Sequence, residues 1–178
     1  NDAHRKDRLG TDVQMEKVPS TVVRLGHCVL DVADYRTSER WYKERFGLLT
    51  SDEITAPNGT EIGAFLRCDR ANVAVDHHTL FLIGSGAPAF NHAAFEVLDS
   101  DDVMVGHAHL AGAERTHHWG IGRHVLGSQI YDYWKDPWGH TVEHWTDGDL
   151  FDADVAPRSA DLATLLASHW GPTTTSPR

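Results

Sequence analysis

From Arg24 onward, apolar and polar positions fall into short runs that switch twice from a strand-like to a helical period. Leu25-Gly26-His27-Cys28-Val29-Leu30-Asp31-Val32 is short and β-prone, which predicts a strand. Asp34 follows as a candidate N-cap, then Tyr35, Tyr42 and Phe46 share one helical face, and Gly47 fits a helix stop. Strands are expected at 48–53, 61–68 and 77–83, separated by the turn signal Pro57-Asn58-Gly59 and by polar residues.

The same order then recurs. Asn91-His92-Ala93-Ala94-Phe95-Glu96-Val97 reads as a strand. Ser100 can cap a helix with Val103, His107 and Leu110 on one face, and Gly112 ends it. Strands are expected at 114–118, 127–134 and 140–146. The recurrence is numerical: His27 and His92, Asp31 and Glu96, Val32 and Val97, Gly47 and Gly112 are each 65 positions apart. A period that long exceeds a solenoid unit and fits a duplicated βαβββ module. The expected fold is therefore α+β, two tandem βαβββ modules whose sheets pair into a curved, half-open barrel. Module one spans 23–88 and module two 89–150, making a catalytic domain of 23–150. Residues 1–22 are polar and aperiodic, a linker or entry arm. The tail 151–178 carries one helix candidate, Ala160 to His169, with Leu162, Leu165, Leu166 and His169 at helical spacing; it reads as a packing helix.

Composition narrows the function classes. The formal charge is −10, from 16 basic and 26 acidic side chains, whereas nucleic acid or an anionic membrane calls for a clustered positive field. The basic group His4-Arg5-Lys6 with Arg8 lies in the polar arm. No apolar run approaches membrane-spanning length. Cys28 and Cys68 form no CxxC pair and read as free thiols in a reducing cytoplasm. Of the 13 histidines, His4, His107, His109 and His169 have no motif around them and are expected at the surface.

Other histidines are harder to place there. His27 and His92 hold equivalent positions in the first strand of each module, and strand alternation puts each on one face with its i+2 neighbours. Glu143 lies on the last strand of module two, and the position 65 residues earlier is His78. The pseudo-symmetry thus gathers His27, His78, His92 and Glu143 around one centre. A buried carboxylate among imidazoles is costly without a metal or proton to share. Two imidazoles and one carboxylate suit Fe(II) with open sites for substrate and oxygen; Mn(II) accepts the same set.

These residues resemble the catalytic half of a type I extradiol ring-cleavage dioxygenase, a catechol 2,3-dioxygenase-like member of the vicinal oxygen chelate superfamily, over residues 24–149. The most specific stretch is Gly122-Arg123-His124 followed by Tyr133, Asp136-Pro137, Gly139 and Glu143. One departure is Asp132, where the pattern has an apolar residue; Tyr131 also follows an apolar residue and competes with Tyr133 as the functional phenol. The resemblance implies His27, His92 and Glu143 as iron ligands and His78 as an acid–base histidine. His124 and Tyr133 would hydrogen-bond the substrate oxygen. His77 is expected on the opposite face from His78, by alternation. The implied activity inserts both atoms of O2 into a catecholic ring next to the diol, in aromatic catabolism, with the enzyme a cytoplasmic homo-oligomer. It also implies an inactive N-terminal copy of the paired modules, absent from this sequence.

Two other functions use the same fold. A glyoxalase-type lyase or isomerase would take four protein ligands, with His78 as the fourth. A metal-free small-molecule-binding module would have no use for both histidines and Glu143. Asp136-Pro137-Trp138-Gly139 reads as a tight turn. Trp119, Trp134, Trp138 and Trp145 could wall an aromatic pocket or pack the core, and Arg123 could steer a substrate carboxylate or pair with an acidic side chain.

Overall fold

A computed structural model describes residue 12 and residues 15–172. Most of the arm, including His4 and the basic group beside it, lies outside the described residues.

The first module runs β1 (Val22–Val32), α1 (Tyr35–Phe46), β2 (Leu49–Thr55), β3 (Glu61–Arg67), a two-residue β4 (Val75–Asp76) and β5 (Leu80–Gly84). The second runs β6 (Ala89–Val97), α2 (Ser100–Gly112), β7 (His117–His124), β8 (Ile130–Lys135) and β9 (Thr141–Thr146). Local chemistry sets the helix ends. The Asp34 side chain accepts from Thr37 N, 2.6 Å away, and Gly47 takes the left-handed conformation at φ 64°. In α2 the cap is Asp99, one residue before the expected Ser100, because its carboxylate takes the Asp102 N–H.

Both modules repeat one strand arrangement. Within the sheet the order β2-β3-β5-β1 in the first half mirrors β7-β8-β9-β6 in the second. The halves join through antiparallel β1 and β6, while β1–β5 and β6–β9 are parallel. This is the curled α+β sheet expected from the repeat.

Each helix covers the outer face of its half. Tyr35 of α1 packs with Leu48, Ala64, Leu66, Leu80 and Leu82; Val103 of α2 packs with Val97 and Ile130. The concave face holds Val29, Ile54, Phe65 and Phe81. At the centre the Trp145 ring lies so close to Gly26 that a Cβ there would stand 2.4 Å from it. Only glycine admits that approach beside His27.

The C-terminal segment departs from expectation. Instead of a helix over 160–169 it forms β11 (Arg158–Asp161), a four-residue α3 (Leu162–Leu165) and β12 (Ser168–Trp170). β11 pairs in parallel with β2 and β12 antiparallel with β7, so one stretch occupies both edges of the sheet. Unpaired edge N–H and C=O groups outweigh the local leucine periodicity. The short β10 (Leu150–Phe151) pairs with β4. Among the described residues no helix is long and apolar enough to cross a membrane.

Candidate metal centre

Strand register builds the site. Paired positions across the concave face form one row: His27 on β1, Ala94 on β6, Glu143 on β9, Tyr133 on β8 and Trp119 on β7. His92, two residues before Ala94, faces the same way. His27 Nε2 lies 3.1 Å and His92 Nε2 3.3 Å from the same oxygen, Glu143 Oε2. The ligand-type atoms of all three residues lie within 4.8 Å of one another. Glu143 is fully buried and His27 nearly so.

The hydrogen bonding is incomplete. His27 Nδ1, His92 Nε2 and Glu143 Oε1 are buried without a hydrogen-bond partner; the 3.3 Å approach of His92 lacks the alignment of a hydrogen bond. Each orphaned group costs roughly 1–3 kcal/mol. Burial lowers the His27 pKa, favouring neutral imidazole. Burial pushes the Glu143 carboxyl up, but the hydrogen bond to His27 and the close approach of His92 outweigh it and hold the group well below the usual carboxylate range. A neutral His27 beside an ionised Glu143 matches the protonation states that a divalent cation requires. The donor set and its unpaired atoms fit such an ion.

Beside the cluster lies a cavity of about 200 Å³. His78 and His124 face it, and Tyr133 with Trp119 lines the second-module side. The His78 ring centroid is 4.1 Å from that of His27 and 4.7 Å from Phe65, and burial among these rings holds its pKa well below the ordinary value. His124 Nε2 and the Tyr133 hydroxyl are 3.0 Å apart and hydrogen-bonded. Burial drops the His124 pKa to about 4, and burial with the nearby Glu143 carboxylate raises Tyr133 well above the ordinary phenol value. Tyr131 is committed elsewhere: its hydroxyl is 2.7 Å from Ser168 Oγ on β12. Apart from Gln129, the remaining wall is apolar: Val29, Phe65, Phe81, Ile83, Leu126 and, from the C-terminal segment, Leu165 and Leu166.

Several other readings are settled by position. Asp136 Oδ1 accepts from the N–H groups of Trp138 and His140, making the expected turn. Trp138 is exposed, so only Trp119 of the four tryptophans walls the cavity. Arg123 is engaged with Asp147 and the Ser128 carbonyl. His107 is not a free surface group: its Nδ1 lies 3.0 Å from Asp132 Oδ2, and His117 Nε2 lies 2.8 Å from Asp132 Oδ1. His77 stays off the cavity that His78 lines, buried against Asp52, and the two rings still bond through Nδ1 because 77–79 form a bend between β4 and β5. The leucines of the C-terminal segment had no local signal for the cavity, and the Asp132 departure was the one sequence cue to the outer histidine cluster.

Comparisons with known proteins agree with this architecture. Residues 24–144 match the family model of the Glyoxalase/Bleomycin resistance protein/Dioxygenase superfamily. Metapyrocatechase 2 of Cupriavidus necator is 35% identical over 150 residues, 84% of this chain and 44% of that protein, so the chain spans less than half the length of this curated relative. Among solved structures, the Mn(II)-bound glyoxalase from Novosphingobium aromaticivorans superposes with a TM-score of 0.74 at 27% identity, covering 93% of this chain and 52% of that one. Homoprotocatechuate 2,3-dioxygenase from Brevibacterium fuscum, as its E323L mutant, gives a TM-score of 0.68 at 23% identity, covering 80% and 39%, a likeness of fold. With more than half of its residues inside the family model, the chain belongs to the Glyoxalase/Bleomycin resistance protein/Dioxygenase superfamily.

Proposed function

We propose that His27, His92 and Glu143 hold a single Fe(II) ion and that the site cleaves a catechol-type ring with O2 next to the diol. The carrying observation is the convergence of two imidazole nitrogens on one oxygen of a buried carboxylate whose other oxygen has no hydrogen bond, at the end of a largely apolar cavity. Mn(II) suits the same donors. When bound, the metal supplies Lewis acidity toward the diol oxygens and open positions for substrate and oxygen.

The side chains account for the rest. Phe65, Phe81, Ile83 and the leucines grip a flat ring and exclude water. At about 200 Å³ the cavity lies below the roughly 300–1,000 Å³ of drug-sized pockets and favours a one-ring substrate. The hydrogen-bonded Tyr133 and His124 place a polar edge where a substrate oxygen would sit, ready to stabilise negative charge on it. His78, neutral in its apolar surroundings, can hold a proton taken from the substrate and return it later. Similarity to the relative named metapyrocatechase supports this reading. The second reading, a glyoxalase-type lyase or isomerase, draws on the Mn(II)-bound neighbour. It would want a fourth ligand, and His78 bonds to His77 instead of joining the ligand group.

The test is anaerobic loading with Fe(II), then air and a panel of catechols, following oxygen uptake and a yellow ring-opened product. The expected result is product from the wild type and none from Glu143→Ala or His92→Ala; normal turnover in both variants rejects the reading.

A further inference from the structure

We infer that Asp52 and His77 are positioning residues for His78: they fix its ring with Nδ1 as the protonated nitrogen and leave Nε2 bare. The role in turnover rests on the ring-cleavage reading, whereas the hydrogen-bond relay does not.

The relay starts from an anchored anion. Asp52, fully buried on β2, accepts from Arg158 Nε at Oδ1 and from Arg158 Nη2 at Oδ2, both at 2.8 Å. The His77 ring meets the same carboxylate through Nε2, 2.5 Å from Oδ2. Burial raises the Asp52 pKa, but the His77 and Arg158 hydrogen bonds overcome it and bring the group to about 2. An ionised carboxylate only accepts hydrogen bonds, so the proton between them sits on His77 Nε2. Arg158 already neutralises Asp52, and a second cation would leave net charge in a buried cluster; His77 is therefore the neutral imidazole. Its Nδ1 is then an acceptor. That nitrogen faces His78 Nδ1 at 3.0 Å, so His78 Nδ1 carries the proton and donates it. The unprotonated nitrogen of His78 is Nε2, on the ring that lines the cavity.

His77 has little freedom to do otherwise. Its N–H donates to the Asp149 carbonyl at 2.9 Å, and its carbonyl accepts from Ser51 Oγ at 2.5 Å. Phe151 packs edge-on against the ring at 5.2 Å. On another side is Gly127, where a Cβ would stand 3.0 Å from His77 Nδ1. Arg158 comes from β11, so the C-terminal segment reaches His78 through a chain of hydrogen bonds.

The experiment is long-range 1H–15N correlation of the imidazole nitrogens in histidine-labelled full-length protein, metal-free and again with Zn(II). Wild type should show His78 protonated at Nδ1 and bare at Nε2. His77→Phe removes the acceptor, and Asp52→Asn removes the group that accepts hydrogen bonds only; each should move the His78 nitrogens toward the averaged shifts of mixed tautomers. His77→Asn, whose carbonyl oxygen can stand where Nδ1 stood, should restore the Nδ1-protonated pattern. With Fe(II) and a turned-over catechol, His77→Phe should lower kcat by about tenfold or more with KM nearly unchanged, a scale typical of groups that orient an active-site side chain. A wild-type His78 protonated at Nε2, or a pattern unmoved in both His77→Phe and Asp52→Asn, overturns the proposal. The expected tautomers in a protein that turns over no catechol would leave the relay standing and reject ring cleavage.

Discussion

Two clusters, each of two histidines and a carboxylate, are wired differently. On the concave face, His27 and His92 crowd one oxygen of Glu143, while Glu143 Oε1 and His27 Nδ1 have no hydrogen-bond partner, the nearest histidine nitrogen to Oε1 being His124 Nε2 at 3.9 Å. On the outer face, Asp132 shares its two oxygens: His117 Nε2 is 2.8 Å from Oδ1, His107 Nδ1 is 3.0 Å from Oδ2, and Trp134 Nε1 donates to Oδ2 at 2.5 Å. Both carboxylates are fully buried. The outer one is satisfied by its donors and ties α2 to β7 and β8. The inner one is left short, and a cation would complete it. Ligand chemistry alone does not separate a metal centre from a structural clamp; unmet hydrogen-bonding capacity does.

Removing the inner carboxylate has the greatest consequence. Glu143→Ala should take metal content from about one ion per chain to near zero, measured by elemental analysis after Fe(II) or Mn(II) loading, because two neutral imidazoles are a poor site without the carboxylate. Asp132→Ala should instead leave metal content unchanged and lower stability by about 3 kcal/mol, read by urea unfolding, since it strips three buried or half-buried donors of their acceptor. If Asp132→Ala also removed an ion, the contrast between the clusters would fail.

A third buried carboxylate, Asp52, sharpens the contrast through pH. Its folded pKa of about 2 lies below the roughly 3.9 of an unfolded aspartate. The depressed carboxyl adds stability above the unfolded pKa, and that stability is lost as pH falls from about 4 through about 2. The amount is about 2 kcal/mol. Asp52→Asn should flatten this part of the acid limb in a stability–pH series; an unchanged slope would show that the Arg158 and His77 contacts do not hold the anion.

Much of the fold was legible because its signals are local or periodic. The 65-residue offset carried the doubled module, Asp34 and Gly47 marked the ends of α1, and the equivalence of His27 with His92 brought both onto one face. Glu143 joined them because a strand position two-residue periodicity can track lies beside Ala94 in the register. Elsewhere the local pattern misled. His107, expected free at the surface, sits on a helix and meets Asp132, 25 positions away on β8.

The residue types, the duplication and the first-strand histidines were set by the chain itself, since strand alternation and capping act over a few neighbours. Which atoms meet was decided only in three dimensions. The C-terminal leucines became a cavity wall because β11 and β12 found open edges on opposite ends of the sheet, and Asp52 gained Arg158 through that same pairing. Edge pairing between distant segments is driven by backbone groups common to every residue, so side-chain periodicity leaves no record of it.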